Sequence, residues 1–319
     1  MISQISDLSL LSSSVIAVPP LCRNKDFDID VNENRKLISH LEKGGVRVLL
    51  YGGNANLYNI AVSEYPNLLE VLASESGSET LIVPSVGPFY GNIIDQANLL
   101  KGLGFSMAMI LPTLFPASSR GIATAVRHFV EKSGIKAVLY IKDEGYISPE
   151  VVNELVNDGY ISWIKYAIVR EQTSDDDYLK SLTESVDPNM IVSGIGEQPA
   201  IIHLKDFGLM GYTSGCVCVA PSKSMQMLQA IKSGDFARAE DIRSQFTGLE
   251  DLRNEYGPIP VLHHAVALSG IADTGSHLPL LSDLDEVVLQ SVAELSLIHI
   301  SEPTRPERIG YGGVGVKKK

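Results

Sequence analysis

Ala137-Val138-Leu139-Tyr140-Ile141-Lys142, then Glu150-Val151-Val152-Asn153-Glu154-Leu155-Val156, then Ser162-Trp163-Ile164-Lys165-Tyr166-Ala167-Ile168: this stretch decides the fold. The outer runs are rich in β-branched and aromatic residues and read as strands. The middle run has apolar residues three and four apart and stops at Asp158-Gly159, a usual helix stop. Strand, helix, strand is a βαβ unit and implies a parallel sheet. The alternation extends both ways. Strands are expected at Val15–Pro19, Val46–Tyr51, Thr80–Pro84, Ser106–Leu111, Ala137–Ile141, Ser162–Ile168, Met190–Ser193 and Tyr212–Cys218. Between them lie amphipathic patterns such as Ile122 to Lys132, stopped by Ser133-Gly134. Eight units in about 205 residues predict an α/β fold, a closed (β/α)8 TIM barrel. An open doubly wound sheet is the alternative. It would show a Gly-rich turn after the first strand, where this chain has Val18-Pro19-Pro20-Leu21.

After Pro221 the strand patterns stop, and Ser222–Ile231, Phe236–Tyr256 and Pro260–Leu268 are helical in succession. The expected domains are a barrel catalytic domain over 14–220 and a C-terminal helical extension over 221–294. Residues 295–305 read LSLIHISEPTR, which resembles the read-through translation of a transposase adaptor. Residues 295–319 are therefore set apart as a non-native tail expected to pack little against the barrel. The natural C-terminus is then lost or replaced.

The 319 residues are 45% hydrophobic and 20% charged, with a net charge of −12. The tail holds five basic and two acidic residues, so the rest is nearer −15. No basic footprint for nucleic acid is visible. No apolar run reaches the roughly 18 residues of a membrane span, and Met1 to Ser13 lacks a basic leader. The expected compartment is the cytoplasm. Cys22, Cys216 and Cys218 are too few for a disulfide framework. The last two, at strand spacing, share one face and read as core. The histidines show no H-x-x-x-H, H-x-H or H-E-x-x-H spacing, so neither a metal nor another cofactor is expected. No G-x-S-x-G or P-loop is present.

Barrel active sites lie at the C-terminal ends of the strands. Strand parity turns Trp163, Lys165 and Ala167 inward and Ile164, Tyr166 and Ile168 outward. A buried lysine has a lowered pKa, and a neutral amine attacks a ketone to form a Schiff base. The alternative is a lysine whose stem snorkels to the rim. Parity also turns Val138, Tyr140 and Lys142 inward on the neighbouring strand. Tyr140 is then a proton carrier beside the imine or a filler of a barrel layer. Lys142 is a rival nucleophile or a cation for a carboxylate. After the second strand, Gly52-Gly53-Asn54-Ala55-Asn56 is either an anion-binding loop or a plain tight turn. Gly194 and Gly196 keep the mouth open after the seventh strand.

Lys165 on the sixth strand, Tyr140 closing the fifth and the Gly52–Asn56 loop closing the second together resemble the dihydrodipicolinate synthase and N-acetylneuraminate lyase family of Schiff-base aldolases. Gly211-Tyr212-Thr213-Ser214-Gly215 resembles that family's eighth-strand segment, and Ile231 to Ala239 its C-terminal helix-turn-helix. The likeness spans about Val15 to Leu281. It implies that Lys165 forms an imine with pyruvate or another 2-oxo acid and that Tyr140 moves protons. It implies that Gly52, Gly53, Asn54, Ala55 and Asn56 bind the carboxylate. Lys142, Gly194 and Thr213 join them as substrate-binding candidates. A homotetramer or dimer is also implied. Three departures mark a divergent member. The loop lacks the family's G-T-T-G-E hydroxyls and Glu. Leu114 stands where the synthase lends a tyrosine across its subunit interface. Ile141-Lys142-Asp143-Glu144-Gly145 lacks the carboxylate-binding arginine of Asn-x-Pro-x-Arg. The expected function is a lyase or aldolase acting through that imine. The alternatives are a keto-sugar-acid dehydratase using the same imine, a non-catalytic sugar-acid-binding barrel, and a barrel binding phosphate through Ser193-Gly194-Ile195-Gly196.

Overall fold

Pro84 divides one stave of the barrel in two. The computed structural model describes residues 8–301. Its strands are β1 (Ile16–Ala17), β2 (Val48–Leu50), β3 (Leu81–Val83), β4 (Ser85–Val86), β5 (Met107–Ile110), β6 (Lys136–Ile141), β7 (Ile161–Tyr166), β8 (Ile191–Ser193) and β9 (Gly211–Ser214). The sheet order is β3-β2-β1-β9-β8-β7-β6-β5-β4, and its neighbouring pairs are parallel. The two ends, β3 and β4, are consecutive pieces of the third stave. Pro84 brings no N–H to a ladder. The stave changes partner there: Val83 O accepts from Tyr51 N at 3.0 Å, and Pro84 O accepts from Met109 N at 2.9 Å. Nine strands thus make an eight-staved TIM barrel, and each expected run supplies a stave.

Two expectations are corrected. The third stave runs past the expected Thr80–Pro84 to Val86 and is two strands, for the reason just given. The eighth ends at Ser214, because Ser214 Oγ accepts from Val217 N at 2.9 Å and turns the chain into a 3-10 turn over Cys216–Cys218. Cys216 and Cys218 therefore share no strand face, although both thiols are buried in the core.

Helices cover the outside. The pattern from Ile122 forms Ser119–Ser133, begun by Ser118 Oγ accepting from Gly121 N and ended by Gly134 at φ +78°. The pattern from Glu150 forms Pro149–Asn157. Register fixes which faces point inward. Tyr140 pairs with Lys165 and Lys165 with Val192. Tyr166, next in sequence to Lys165, points outward: it stacks on Tyr178 at 6.2 Å and meets the edge of His203 at 5.9 Å. Its hydroxyl donates to Asp176, which caps the helix Asp177–Ser185 and pairs with Arg170 at 2.9 Å.

Three helices, Pro221–Ser233, Phe236–Tyr256 and Pro258–Leu268, follow the barrel as an appendage. A fourth, Glu286–Ser301, runs past residue 294. Val288, Val292 and Ser296 form its buried stripe, and Leu295 packs where Gly248 leaves room. Packing therefore continues two residues past the boundary at 294, because Leu295 and Ser296 prolong a stripe already set by the helical period. The side chains of Ile298 and Ile300, and residues 302–319, lie outside the described residues. Among the described residues no helix is long and apolar enough to cross a membrane.

Candidate active site

β7 carries Lys165 on its inner face, 4% exposed. Burial, with Lys142 and Arg253 facing it, lowers its ammonium to about 7. Its Nζ lies 4.3 Å from the centre of the Tyr140 ring. Burial pushes the Tyr140 phenol up to about 12, so it stays protonated at neutral pH. The lysine does not snorkel to the rim. It ends beside the tyrosine at the floor of a cavity of about 210 Å3.

Of the candidates from sequence, Asn54, Tyr140, Lys142, Lys165, Gly194 and Thr213 line this cavity. Gly52, Gly53, Ala55 and Asn56 do not. Gly52 is needed for packing: a Cβ there would meet Met109 Cε at 2.6 Å and Ser85 Oγ at 2.8 Å. Gly53 O and Gly52 O accept from Asn56 N and Leu57 N, closing a tight turn. Ala55 and Asn56 are buried, and Asn56 takes the left-handed conformation at φ +53°. The turn serves to present Asn54, whose Nδ2 donates to Val18 O at 2.9 Å while its carbonyl faces His263 Nε2 at 3.0 Å. Gly215 leaves the space Asn54 occupies, since a Cβ at 215 would be 2.9 Å from Asn54 Nδ2.

Gly194 is fixed by the lysine. A Cβ there would lie 2.9 Å from Lys165 Cγ and 2.7 Å from Tyr166 O. The backbone of β8 must come this close for the lysine stem to lie flat beneath it.

Three groups in or near the cavity escape a linear reading. Arg253, on the helix Phe236–Tyr256, lines the cavity opposite the barrel groups and is 7% exposed. A buried acid pair places it. Glu197, after β8, accepts from Ser214 Oγ at 2.8 Å and Ser224 Oγ at 2.6 Å. Glu250 Oε1 accepts from Glu197 N at 2.9 Å and lies 3.5 Å from Arg253 Nη1. Burial and the neighbouring Glu197 carboxyl raise Glu250 to about 8, so the pair holds a proton at neutral pH. Gly196, at φ +103°, makes room, because a Cβ there would be 2.1 Å from Glu250 Oε1. Tyr58 and Tyr146 are the remaining groups. Both phenols are raised by burial, and Tyr58 also feels Tyr140 and Tyr146. No spacing rule joins helix 236–256 to a strand end fifty residues earlier, so only the fold could reveal Arg253.

The cavity thus presents a buried amine, a phenol and two further cations, Lys142 and Arg253, and among the described residues no carboxylate lines it. Such a site suits an anion with a reactive carbonyl. A larger cavity, about 970 Å3, lies over Pro88 to Ile93 and Thr113 to Val126. Its lining is mainly apolar and brings no lysine, so the smaller one is the candidate active site.

The model of the dihydrodipicolinate synthetase family matches residues 12–296. The chain belongs to this family. It is 23% identical over 279 residues to the 4-hydroxy-tetrahydrodipicolinate synthase of Dechloromonas aromatica, covering 85% of this chain and 92% of that one. It is 22% identical over 268 residues to a probable 5-dehydro-4-deoxyglucarate dehydratase of Streptomyces avermitilis, covering 80% and 83%. The crystal structure of dihydrodipicolinate synthase from Bacillus clausii superposes with a TM-score of 0.81 at 21% identity, covering 91% and 98%. The likeness to solved structures carries the fold. The family's members are enzymes, so this chain is read as an enzyme of that family's lyase or aldolase kind.

Proposed function

We propose that this protein is a Schiff-base-forming lyase that takes a 2-oxo acid onto Lys165. The observation that carries the reading is the Lys165 amine, buried, lowered to about 7 and set 4.3 Å over the Tyr140 ring in a cavity lined by cations. The neutral amine attacks the keto carbon. Tyr140 gives its proton to the carbonyl oxygen, which becomes the carbinolamine hydroxyl; the phenolate takes back a proton from the attacking nitrogen and passes it to that hydroxyl, which leaves as water and gives the iminium. The Tyr140 phenolate takes the proton of the hydroxyl on the outer carbon, the C–C bond breaks with its electron pair passing to the iminium, and that carbon leaves as an aldehyde; Tyr140 then protonates the enamine carbon, and water hydrolyses the iminium to the 2-oxo acid and the free lysine. Condensation runs the same steps in reverse. Arg253 supplies from the appendage the guanidinium that Gly145 does not supply from the barrel, and it binds the substrate carboxylate with Asn54 and Thr213 nearby.

Lys142 gives a second reading some support. One carboxylate needs one of the two extra cations, and a diacid uses both. A dehydratase of a keto-sugar diacid through the same imine fits that pair, and the Streptomyces relative bears such a name. Homo-oligomer assembly is part of the proposal, supported by the exposed apolar side chains Phe89, Tyr90, Leu114 and Phe115, the last 84% exposed.

The test is borohydride reduction with a panel of 2-oxo mono- and diacids, followed by peptide mapping. The adduct mass is expected on Lys165. Lys165→Ala is expected to abolish it, and Tyr140→Phe to slow it with the fold intact. An adduct on Lys142 would move the nucleophile, and no adduct with any 2-oxo acid would favour a non-catalytic sugar-acid-binding barrel.

A further inference from the structure

On the side of the appendage nearest β1 and β2, the fold assembles a second polar cluster that the imine chemistry does not use. His264 lies on the helix Pro258–Leu268, and His277 and Asp283 lie on the segment that follows it. His264 Nε2 is 2.5 Å from Asp283 Oδ1, and His277 Nε2 is 3.8 Å from the same oxygen. One ligand atom from each lies within 4.8 Å of the others. The His277 ring is the informative member. Its side chain is 5% exposed, and neither nitrogen has a hydrogen-bond partner; the Ser282 backbone approaches it without hydrogen-bond geometry. A buried imidazole with both nitrogens unanswered costs free energy on the order of 1–3 kcal/mol per polar group unless something binds it.

We propose that His264, His277 and Asp283 bind a late divalent transition-metal ion, of which zinc is the type. Two imidazoles and one carboxylate are a donor set for such a metal, with a fourth position left to water because Asp283 is 70% exposed. The ion satisfies His277 Nε2 and replaces the close His264–Asp283 contact with two metal bonds. The spacing of His264, His277 and Asp283 matches no linear metal motif, so only the fold brings the three together.

The consequence is structural. The segment between the ligands crosses the barrel: Thr274 O accepts from Arg23 N at 3.1 Å, and Gly275 packs so tightly on Arg23 that a Cβ would be 1.8 Å from its carbonyl. Next to His264, His263 meets Asn54 O at the catalytic mouth. A metal here pins that crossing and stiffens the support of Asn54. It is distinct from the buried Glu197–Cys216–Glu250 cluster, whose acids are engaged with serines, a backbone N–H and Arg253.

The experiment is titration of the metal-stripped full chain with Co2+, then Zn2+, by visible absorption and calorimetry. One Co2+ per chain, displaced by Zn2+, is expected, with Zn2+ raising the melting temperature. His277→Ala and Asp283→Asn should each weaken binding by at least about tenfold. Asp283→Asn changes an exposed side chain, so it separates lost binding from lost folding. Cys216→Ser should bind as the parent does. Equal affinity in the parent and Asp283→Asn, loss of binding in Cys216→Ser, or no saturable site in the parent would each overturn the assignment. Borohydride labelling of Lys165 reports the imine reading separately, since none of these substitutions touches that cavity.

Discussion

At the scale of single residues, the state of one amine sets the pH behaviour. In the proposed reaction Lys165 must be neutral to attack, and burial lowers its ammonium to about 7. Adduct formation is therefore expected to rise about tenfold per pH unit below 7 and to level off above it. Burial keeps Tyr140 a phenol across this range, so its ionisation does not bend the curve below pH 9. A midpoint near 10 in timed borohydride labelling would mean that the amine is not desolvated. The same lowering has a stability sign. Between 7 and 10.5 the unfolded chain holds a proton on this lysine that the folded chain does not, so stability rises with pH across that window. Below 7 the lysine burdens the fold in full. Lys165→Met is expected to raise the melting temperature at pH 6, with the gain shrinking towards pH 10; a pH-independent difference would contradict this. Gly194→Ala is the complementary change. Its methyl would displace the Lys165 stem, and labelling is expected to fall about a hundredfold, with a stability loss of about 1–3 kcal/mol. Labelling at the parent rate would show that the stem can move aside freely.

At the scale of elements, barrel and appendage are joined by acids that the sequence disguises. The strands were legible because alternation declares itself locally: Trp163, Lys165 and Ala167 face in and Tyr166 faces out whatever the rest of the chain does. Asn54 was legible as part of a turn, but not as its one member in the cavity, because that depends on Gly215 and Val18 arriving from elsewhere. Arg253 was not legible. Its helix has charges all along it, and the one that reaches the mouth is chosen by Glu197 and Glu250, which meet across 53 residues. This pair has its own pH signature. Glu250 titrates near 8 when folded, above its ordinary 4.5, so the folded chain keeps a proton that the unfolded chain releases. Its contribution to stability is full below 4.5 and is lost as pH rises to about 8. Glu250→Gln keeps an acceptor for Glu197 N and does not titrate. Its melting temperature is expected to gain on the parent by several degrees between pH 5 and pH 8. Parallel curves would show that the pair carries no shared proton.

At the scale of the whole molecule, the barrel holds the synthase frame while its recognition groups have changed. Leu114 is half-exposed beside the apolar groove and has no proton to relay, and Gly145 N is tied to Asp143 Oδ1 at 2.7 Å in a turn of its own. In the proposed reaction the guanidinium comes from Arg253, on another element. Pyruvate with aspartate semialdehyde is accordingly expected to turn over at least a hundredfold more slowly than the preferred substrate pair; efficient turnover in a coupled assay would refute the altered specificity. The alternation of Lys165 and Tyr166 along β7 bears on how this enzyme can diversify. Deleting or inserting one residue between Ile161 and Tyr166 would exchange the two, sending an ammonium among Tyr178 and His203 and a second phenol into the cavity. Length variation is thus forbidden within β7 and tolerated in the connecting loops. In a library of single-codon insertions, survivors should map to those loops, leaving this strand as an uninterrupted gap.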